Sequence, residues 1–257
     1  MQEDSRVRGR SNEEVRGIAN RAKSAYGVDR IRPVNILRCL QRGSVETLYG
    51  RKSLLLVVLG DEELGAVDAK TEFVGGTVTI TCKRSVEQGA FFGVPRDRMT
   101  LAHELGHAIM HSGEPKYRYA GASGTTPLSE TKAYESAEHQ AKEFGSAFLI
   151  HDIDAAKMNS AEEIAEEFVV SLEAATICFK RLARKAERAR SAARVMKIAE
   201  ELKATLLGSP KPRQSSYLDV ECLGCNQKTL LPNGPNNVSC DTCGFRGPRY
   251  QDGDEAA

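Results

Sequence analysis

Two histidines and a glutamate lie close together in the segment His103-Glu104-Leu105-Gly106-His107. Residues four apart share one face of an α-helix, so the imidazoles of His103 and His107 can converge on one metal ion. A zinc ion held in this way lowers the pKa of a bound water to about 7. Glu104 is placed beside the two histidines and can take a proton from that water. The pattern predicts a hydrolytic zinc site in which Glu104 is the catalytic residue.

The same five-residue pattern also arises by chance, and both histidines would then be solvated surface side chains. The flanking sequence favours a metal site, because apolar residues recur around the motif at helical spacing. These residues are Met99, Ala102, Leu105, Ala108 and Ile109.

The other histidines of the chain are not predicted to bind the metal. His111 lies one helical turn beyond His107 and is predicted to pack behind the site, and His139 and His151 are predicted to be packed side chains. A peptide-hydrolysing site also needs a donor for the developing oxyanion. Tyr117, Tyr119 and His111 are the candidates for that role.

Four cysteines near the C-terminus form a second pattern: Cys222, Cys225, Cys240 and Cys243. Two CxxC pairs separated by fourteen residues are typical of a zinc ribbon, in which four thiolates hold a structural ion. The intervening residues can form a hairpin with its turn at Pro232-Asn233-Gly234-Pro235. A unit this small needs the metal in order to fold.

The remaining cysteines, Cys39, Cys82 and Cys178, stand in apolar surroundings and are predicted to be buried. Seven cysteines are an odd number, which disfavours the disulfide framework of a secreted protein. The polar N-terminus lacks a secretion signal, and the longest apolar run, Leu54–Leu59, is too short to span a bilayer. The sequence therefore predicts a cytoplasmic protein with no membrane partner.

Capping boxes and a change of apolar period define the predicted elements of the first half. Ser11-x-x-Glu14 predicts a helix that ends at Gly27, and Pro33 predicts the start of a short helix through Leu40. Strands are predicted at 46–49, 54–59 and 77–82, the last after a Gly75-Gly76 turn. Together these strands predict a small sheet rich in antiparallel pairs.

The second half is predicted to be mostly helical before the cysteine pairs. A loop rich in Gly, Ser, Thr and Pro over 113–128 can be either a substrate wall or a disordered connection. A helix follows from Lys132 to Ile150, and Ser160-x-x-Glu163 opens a short helix to Phe168. Ser171 is predicted to cap a very long helix that extends toward Leu207.

The net charge is +1 for 257 residues, so the chain as a whole is not a general polyanion binder. The segment 178–197 is an exception, with eight Lys or Arg and one Glu. One interpretation is a solvated helix that docks an alanine-rich stripe on the core or on another protomer. The other is a surface that binds nucleic acid or an acidic substrate. In the ribbon, Phe245 beside Lys228, Arg246 and Arg249 offers a second candidate surface for nucleic acid or a protein partner.

Three segments resemble the ImmA/IrrE family of intracellular metallopeptidases. They are Arg98-Met-Thr-Leu-Ala-His-Glu-Leu-Gly-His-Ala-Ile-Met-His111, Glu138-x-x-Ala141-x-x-Phe144-Gly-Ser-Ala-Phe-Leu149, and Ile164–Ala175. The resemblance covers about residues 13–185. It implies a small gluzincin-like core with two His ligands and one Glu ligand, and a helix-turn-helix repressor as substrate. The chain departs from the family at Gly145, where alanine is usual, and at His151, where proline often stands.

The third ligand is expected on the helix that follows the motif. Glu138 falls near the inward face of that helix and occupies the place that the family resemblance implies for the ligand. Glu135 is the alternative, Glu143 points away, and Glu130 precedes the helix. Glu138 can also be a border carboxylate paired with Lys142, its neighbour four residues on.

The sequence thus predicts an α+β fold, consisting of a small zincin-like metallopeptidase core with a small sheet, a helical extension and a four-cysteine zinc ribbon. The predicted organisation is a disordered segment over 1–12, the core over 13–159, the extension over 160–207, a linker over 208–216, the ribbon over 217–250 and a disordered tail over 251–257. Two zinc ions are expected, one catalytic and one structural.

The predicted function is zinc-dependent cleavage of a cytosolic protein, with a helix-turn-helix transcriptional repressor as the favoured substrate. The alternative is a non-catalytic regulator, in which the metal core is a scaffold and the basic helix and ribbon bind nucleic acid. Glu104 favours the enzyme, because a scaffold has no need of a general base.

Overall fold

The computed structural model describes residues 5–113, 132–207 and 217–248. Its helices in those residues are α1 (Asn12–Tyr26), α2 (Ile36–Leu40), α3 (Arg84–Phe91), α4 (Pro95–Met110), α5 (Ala137–Leu149), α6 (Asp152–Ala155), α7 (Ala161–Phe168) and α8 (Leu172–Leu207). Its strands are β1 (Ser44–Thr47), β2 (Gly50–Leu59), β3 (Ala69–Val74), β4 (Thr77–Lys83), β5 (Leu230–Pro232), β6 (Asn237–Cys240) and β7 (Arg246–Pro248). The predicted α+β class is confirmed.

The chain divides into two compact units, Met1–Ala189 and Arg190–Ala257. The division falls inside α8, whereas the sequence predicted boundaries between elements. Several predicted features lie outside the described residues. They are the loop over 113–128 beyond Gly113, Glu130, the linker over 208–216 and the tail over 251–257.

The first helix begins and ends where its sequence predicts. The Ser11 side chain accepts from the Glu14 backbone N–H at 3.2 Å, and the Glu14 carboxylate accepts from the Ser11 N–H at 2.7 Å. Gly27, with φ of 69°, adopts the left-handed conformation that ends the helix. The prediction for α2 is wrong at its start, because the side chain of Asn35, not Pro33, caps the helix by accepting from the Arg38 N–H.

The sheet of the first unit has the strand order β1-β2-β4-β3. The outer pairs, β1–β2 and β3–β4, are antiparallel, and the central pair β2–β4 is parallel. The predicted glycine turn joins β3 to β4, with positive φ at both Gly75 and Gly76. Strand β3 and helix α3 were not predicted, because each is short and carries few apolar residues.

Helix α4 lies at the centre of the core and packs against β1, β3, β4, α2, α3 and α5. The side chains of Leu101, Leu105 and Met110 are fully buried. On α5, Phe144 and Phe148 stack on each other, and Tyr26 of α1 meets Phe148 edge to face. This apolar packing holds α4 and α5 side by side, and the metal ligands were predicted on these two helices.

Two glycines allow α4 and α5 to approach closely. A Cβ added at Gly106 of α4 would lie 3.1 Å from Phe144 Cδ1 and 3.2 Å from the Ala141 Cα. A Cβ at Gly145 of α5 would lie 3.2 Å from the His103 backbone nitrogen. Gly145 therefore departs from the family's usual alanine at a point of direct contact with the backbone that carries His103.

The predicted disorder of residues 1–12 is wrong for the described residues 5–12. The Val7 N–H donates to the Glu135 carbonyl at 2.8 Å, the Arg10 N–H to the Tyr134 carbonyl at 2.9 Å, and the Ala137 N–H to the Ser5 carbonyl at 3.0 Å. Val7 and Arg10 are buried. Polar composition suggested disorder, but this segment pairs with the stretch before α5 and so satisfies its backbone groups.

The helix predicted from Lys132 to Ile150 begins later. Residues Ala133–Glu135 form one 3-10 turn, and Ser136 is extended and caps α5 by accepting from the His139 N–H at 3.0 Å. The caps predicted for the next helices are confirmed, with Ser160 accepting from Glu163 and Ser171 from Ala174. In α8, Phe179 and Leu182 pack on the core, but side chains from Ala183 to Lys203 are exposed. Within the first unit, Ala186 and Ala189 of the predicted alanine-rich stripe are therefore exposed and do not pack on the core.

Gly106→Ala is expected to lower the free energy of unfolding. Overpacking in a core costs about 1–3 kcal/mol, which outweighs the roughly 0.5–1 kcal/mol that alanine contributes within a helix. The matched control is Gly17→Ala in α1, where the nearest neighbour of the added Cβ is the flexible end of Arg21 at 3.7 Å. That variant should be stabilised by about 0.4–1 kcal/mol. Denaturant unfolding measures both, and equal stabilisation of the two variants would contradict the close packing of α4 on α5.

Candidate metal centres

Helix α4 brings His103 and His107 onto one face, with their Nε2 atoms 3.0 Å apart. Glu138, in the first turn of α5, meets both of them. Its Oε2 lies 3.0 Å from His103 Nε2 and its Oε1 lies 3.2 Å from His107 Nε2. His107 is buried, and His103 and Glu138 are half-buried. The three side chains form a partly exposed cluster.

The spacing of these atoms suits a small metal ion. Ligands at about 2.0–2.1 Å in tetrahedral geometry lie roughly 3.3 Å from one another. The contacts of 3.0 to 3.2 Å in the cluster are close to this value. Three protein ligands leave a fourth position for water or substrate, as in catalytic zinc sites. His103, His107 and Glu138 can therefore hold a metal ion together.

The other glutamates considered as ligands have different partners. Glu135 pairs with Arg6 at 3.0 Å, and Glu143 pairs with Arg16 at 2.6 Å. Burial raises the pKa of the Glu138 carboxyl, but its contacts with the two histidines outweigh burial and hold that pKa well below its usual range. Glu138 is thus an anion in the position that a third ligand requires.

Glu104 is oriented by a neighbour that the sequence did not reveal. The Thr71 hydroxyl, on β3, lies 2.6 Å from Glu104 Oε2 and donates to it. Glu104 is 3 % exposed, so this contact replaces hydration that the carboxylate has lost. Thr71 lies in a strand that was not predicted, and no local pattern links it to a residue 33 positions away.

His111 is buried behind His107. Its Nδ1 lies 3.1 Å from His107 Nδ1, and its Nε2 lies 3.2 Å from Gln140 Oε1. Because both ring nitrogens face protein atoms, the candidacy of His111 as oxyanion donor is wrong. Tyr117 and Tyr119, the other candidates, lie outside the described residues. Gln140 was missed by sequence reasoning, because residues two apart on a helix do not share a face and nothing in the local sequence connects Gln140 with Glu138 or His111.

The remaining histidines lie apart from the cluster. His139 Nε2 is 3.1 Å from Asn12 Oδ1. His151 is buried, and burial lowers its pKa. The prediction that His151 is a packed side chain is confirmed.

The four C-terminal cysteines converge in the unit formed by residues 217–248, called here the four-cysteine unit. Cys222 Sγ and Cys243 Sγ are 3.6 Å apart, as are Cys225 Sγ and Cys240 Sγ. Sulfurs bound to zinc at about 2.3 Å in a tetrahedron lie roughly 3.8 Å apart. The cysteines therefore have the spacing of a closed, four-thiolate metal site.

The backbone of the four-cysteine unit explains this convergence. Each CxxC pair is followed by a residue with positive φ, Asn226 at 55° and Gly244 at 74°. The antiparallel strands β5 and β6 form the predicted hairpin, and β7 adds to β6. Among the described residues of this unit, the buried apolar core consists of Cys222, Leu230, Val238 and Cys240. So small a core supports the expectation that metal binding stabilises the fold.

Cys240 of the four-cysteine unit differs in its thiol pKa from the scattered cysteines Cys39 and Cys82. A hydrogen bond from the Thr229 hydroxyl is the largest of the effects that lower the pKa of the Cys240 thiol to about 6. Burial instead raises the pKa of Cys39 and of Cys82 to about 11. Cys178 is buried as well, so the prediction that these three are buried side chains is confirmed.

Fold and site together define a metallopeptidase-like domain to which a four-cysteine unit is appended. Residues 93–180 match the peptidase family model described as the IrrE N-terminal-like domain, over about a third of the chain. This match supports the resemblance of residues 93–180 to the ImmA/IrrE family, and the matched residues include His103, His107 and Glu138. A search of curated proteins found no significant match.

In the described part of the chain, no helix combines the length and the apolar character needed to cross a membrane.

Replacement of Glu138 tests the third ligand. Glu138→Ala should weaken zinc binding at the histidine site by more than the roughly 10–100-fold that outer contacts contribute. Glu135→Ala, which loses the ion pair with Arg6, should bind zinc as the wild type does. Competition with a chromophoric chelator measures both affinities. Wild-type affinity in the Glu138 variant with a loss in the Glu135 variant would assign the ligand to Glu135.

Proposed function

We propose that the protein is a zinc-dependent endopeptidase that cleaves another cytosolic protein. The observation that carries the proposal is the arrangement around α4. Two histidines and a glutamate converge, while the adjacent Glu104 is held by Thr71 and remains outside the ligand cluster. A metal scaffold without catalysis needs only the three ligands. A carboxylate kept beside them suits a general base.

His103, His107 and Glu138 would hold a zinc ion, which would supply a Lewis acid and lower the pKa of the attacking water. The protein's own side chains would transfer the protons. Glu104 accepts a proton from the attacking water and returns it to the leaving amine. The hydroxyl of Thr71 fixes the carboxylate of Glu104 for both transfers, and burial of Glu104 keeps competing water away.

The position of β3 supports a polypeptide substrate. Strand β3 contacts α4 and forms one edge of the sheet in the described residues. An extended peptide can add to such an edge through backbone hydrogen bonds. Thr71 belongs to this strand, so a peptide paired there would lie beside Glu104. A helix-turn-helix repressor is the favoured substrate, and this choice rests on the family resemblance.

A second candidate function is nucleic-acid binding by the basic segment 178–197. Arg184, Arg188 and Arg194 are among the side chains exposed along α8 in this segment. Exposed cations in a row can neutralise phosphates, and such binding falls steeply with salt. A gel-shift assay tests nucleic-acid binding. It uses the whole protein with the histidine site emptied by His103→Ala together with His107→Ala. Binding that survives would support this second function, and no shift at low salt would exclude it.

Glu104→Gln tests the catalytic proposal. The variant should bind zinc normally and cleave at least about 100-fold more slowly, because the general base is lost. Glu162→Gln, an exposed position in α7, is the matched control and should keep full activity. Mass spectrometry of new termini in a peptide library made from cytosolic proteins measures cleavage. Undiminished cleavage by the Glu104 variant would rule it out as the base.

A further inference from the structure

A buried row of polar side chains begins at the Nδ1 atom of His107, whereas Glu138 lies at the Nε2 atom of the same ring. It passes from His107 to His111, then to Gln140 and finally to Arg10. Gln140 and His111 are 0 % and 2 % exposed, respectively, so every polar atom in the row depends on protein partners. The direction of each hydrogen bond can therefore be worked out from the partners.

The orientation of the Gln140 amide follows from two backbone carbonyls. Its Nε2 lies 2.8 Å from the Arg8 carbonyl oxygen and 2.7 Å from the Tyr134 carbonyl oxygen. Carbonyl oxygens only accept hydrogen bonds, so the amide NH2 group must face them. The Oε1 atom then points the other way, where Arg10 Nη1 donates to it at 2.9 Å. The contacts of Nε2 and those of Oε1 therefore require the same orientation of the Gln140 amide.

This orientation fixes the proton of His111. Because Gln140 Oε1 can only accept, the His111 Nε2 atom at 3.2 Å must carry a hydrogen. In a neutral imidazole the other nitrogen, Nδ1, is then an acceptor. It faces His107 Nδ1 at 3.1 Å, which must donate and therefore carries a hydrogen. The lone pair of His107 is left on Nε2, the atom that faces His103 and Glu138.

We infer that Gln140 and His111 are positioning residues that hold His107 in the tautomer with a free Nε2 lone pair for the metal. The inference rests on the proposed metal site. It adds a role for the N-terminal segment, because the Arg8 carbonyl and the Arg10 guanidinium orient Gln140. Residues before α1 thus contribute to metal affinity through contacts that are remote in sequence.

Three variants separate this role from plain structural support. Gln140→Met removes the acceptor and should weaken zinc binding at the histidine site by about 10–100-fold. Gln140→Glu keeps an acceptor for His111 and Arg10 and loses the two bonds to carbonyls. It should be less stable than the wild type yet retain zinc affinity. His139→Asn, at the neighbouring position on α5, should leave zinc affinity unchanged.

The readouts are the zinc affinity of the whole protein by chelator competition, its unfolding midpoint, and the imidazole nitrogen shifts of the zinc-loaded wild type. The nitrogen spectrum should show His111 protonated on Nε2 and unprotonated on Nδ1. Each of three results would overturn the inference: wild-type affinity in Gln140→Met, an equal loss of affinity in Gln140→Met and Gln140→Glu, or His111 protonated on Nδ1. A wild type that binds no zinc at the histidines would instead defeat the proposed function itself.

Discussion

The close packing of α4 against α5 is the constraint on which the candidate site depends. The two histidines lie on one helix and Glu138 on the other, so their contacts of 3.0 and 3.2 Å exist only while the helix axes stay close. Gly106 and Gly145 allow this approach, because a Cβ at either position would press on the opposite helix. The aromatic stack of Phe144 and Phe148 then fills the space around α5. The packing of the core therefore sets the distances between the candidate ligands.

Burying several polar groups beside the candidate ligands costs free energy unless each group has a hydrogen-bond partner. Thr71 satisfies Glu104 on the sheet side, and Gln140 satisfies His111 on the α5 side. The N-terminal segment completes the second set through Arg8 and Arg10. The sheet, α5 and the N-terminal segment thus all hold the groups around α4, although none of them carries the His-Glu-x-x-His motif.

Sequence reasoning succeeded where the signal was local. Some structures depend on only a few neighbouring residues and were predicted correctly. They are the helix caps at Ser11, Ser160 and Ser171, the glycine turn before β4 and the paired cysteines. Sequence reasoning failed where pairing between distant segments decides the outcome. Residues 5–11 are polar and have no periodicity, yet backbone bonds to the stretch before α5 order them. Thr71 and Gln140 carry no motif, and only the folded chain brings them to Glu104 and His111.

The central claim is that the chain holds two independent metal centres, one formed by His103, His107 and Glu138 and one by the four cysteines. Elemental analysis of the whole protein after loading and removal of free metal tests it most directly. The account predicts about two zinc ions per chain. The double variant His103→Ala with His107→Ala should lose one and keep the four-cysteine unit folded, and Cys222→Ser with Cys225→Ser should lose the other and keep the core folded. A single metal ion in the fully loaded wild type would contradict the account.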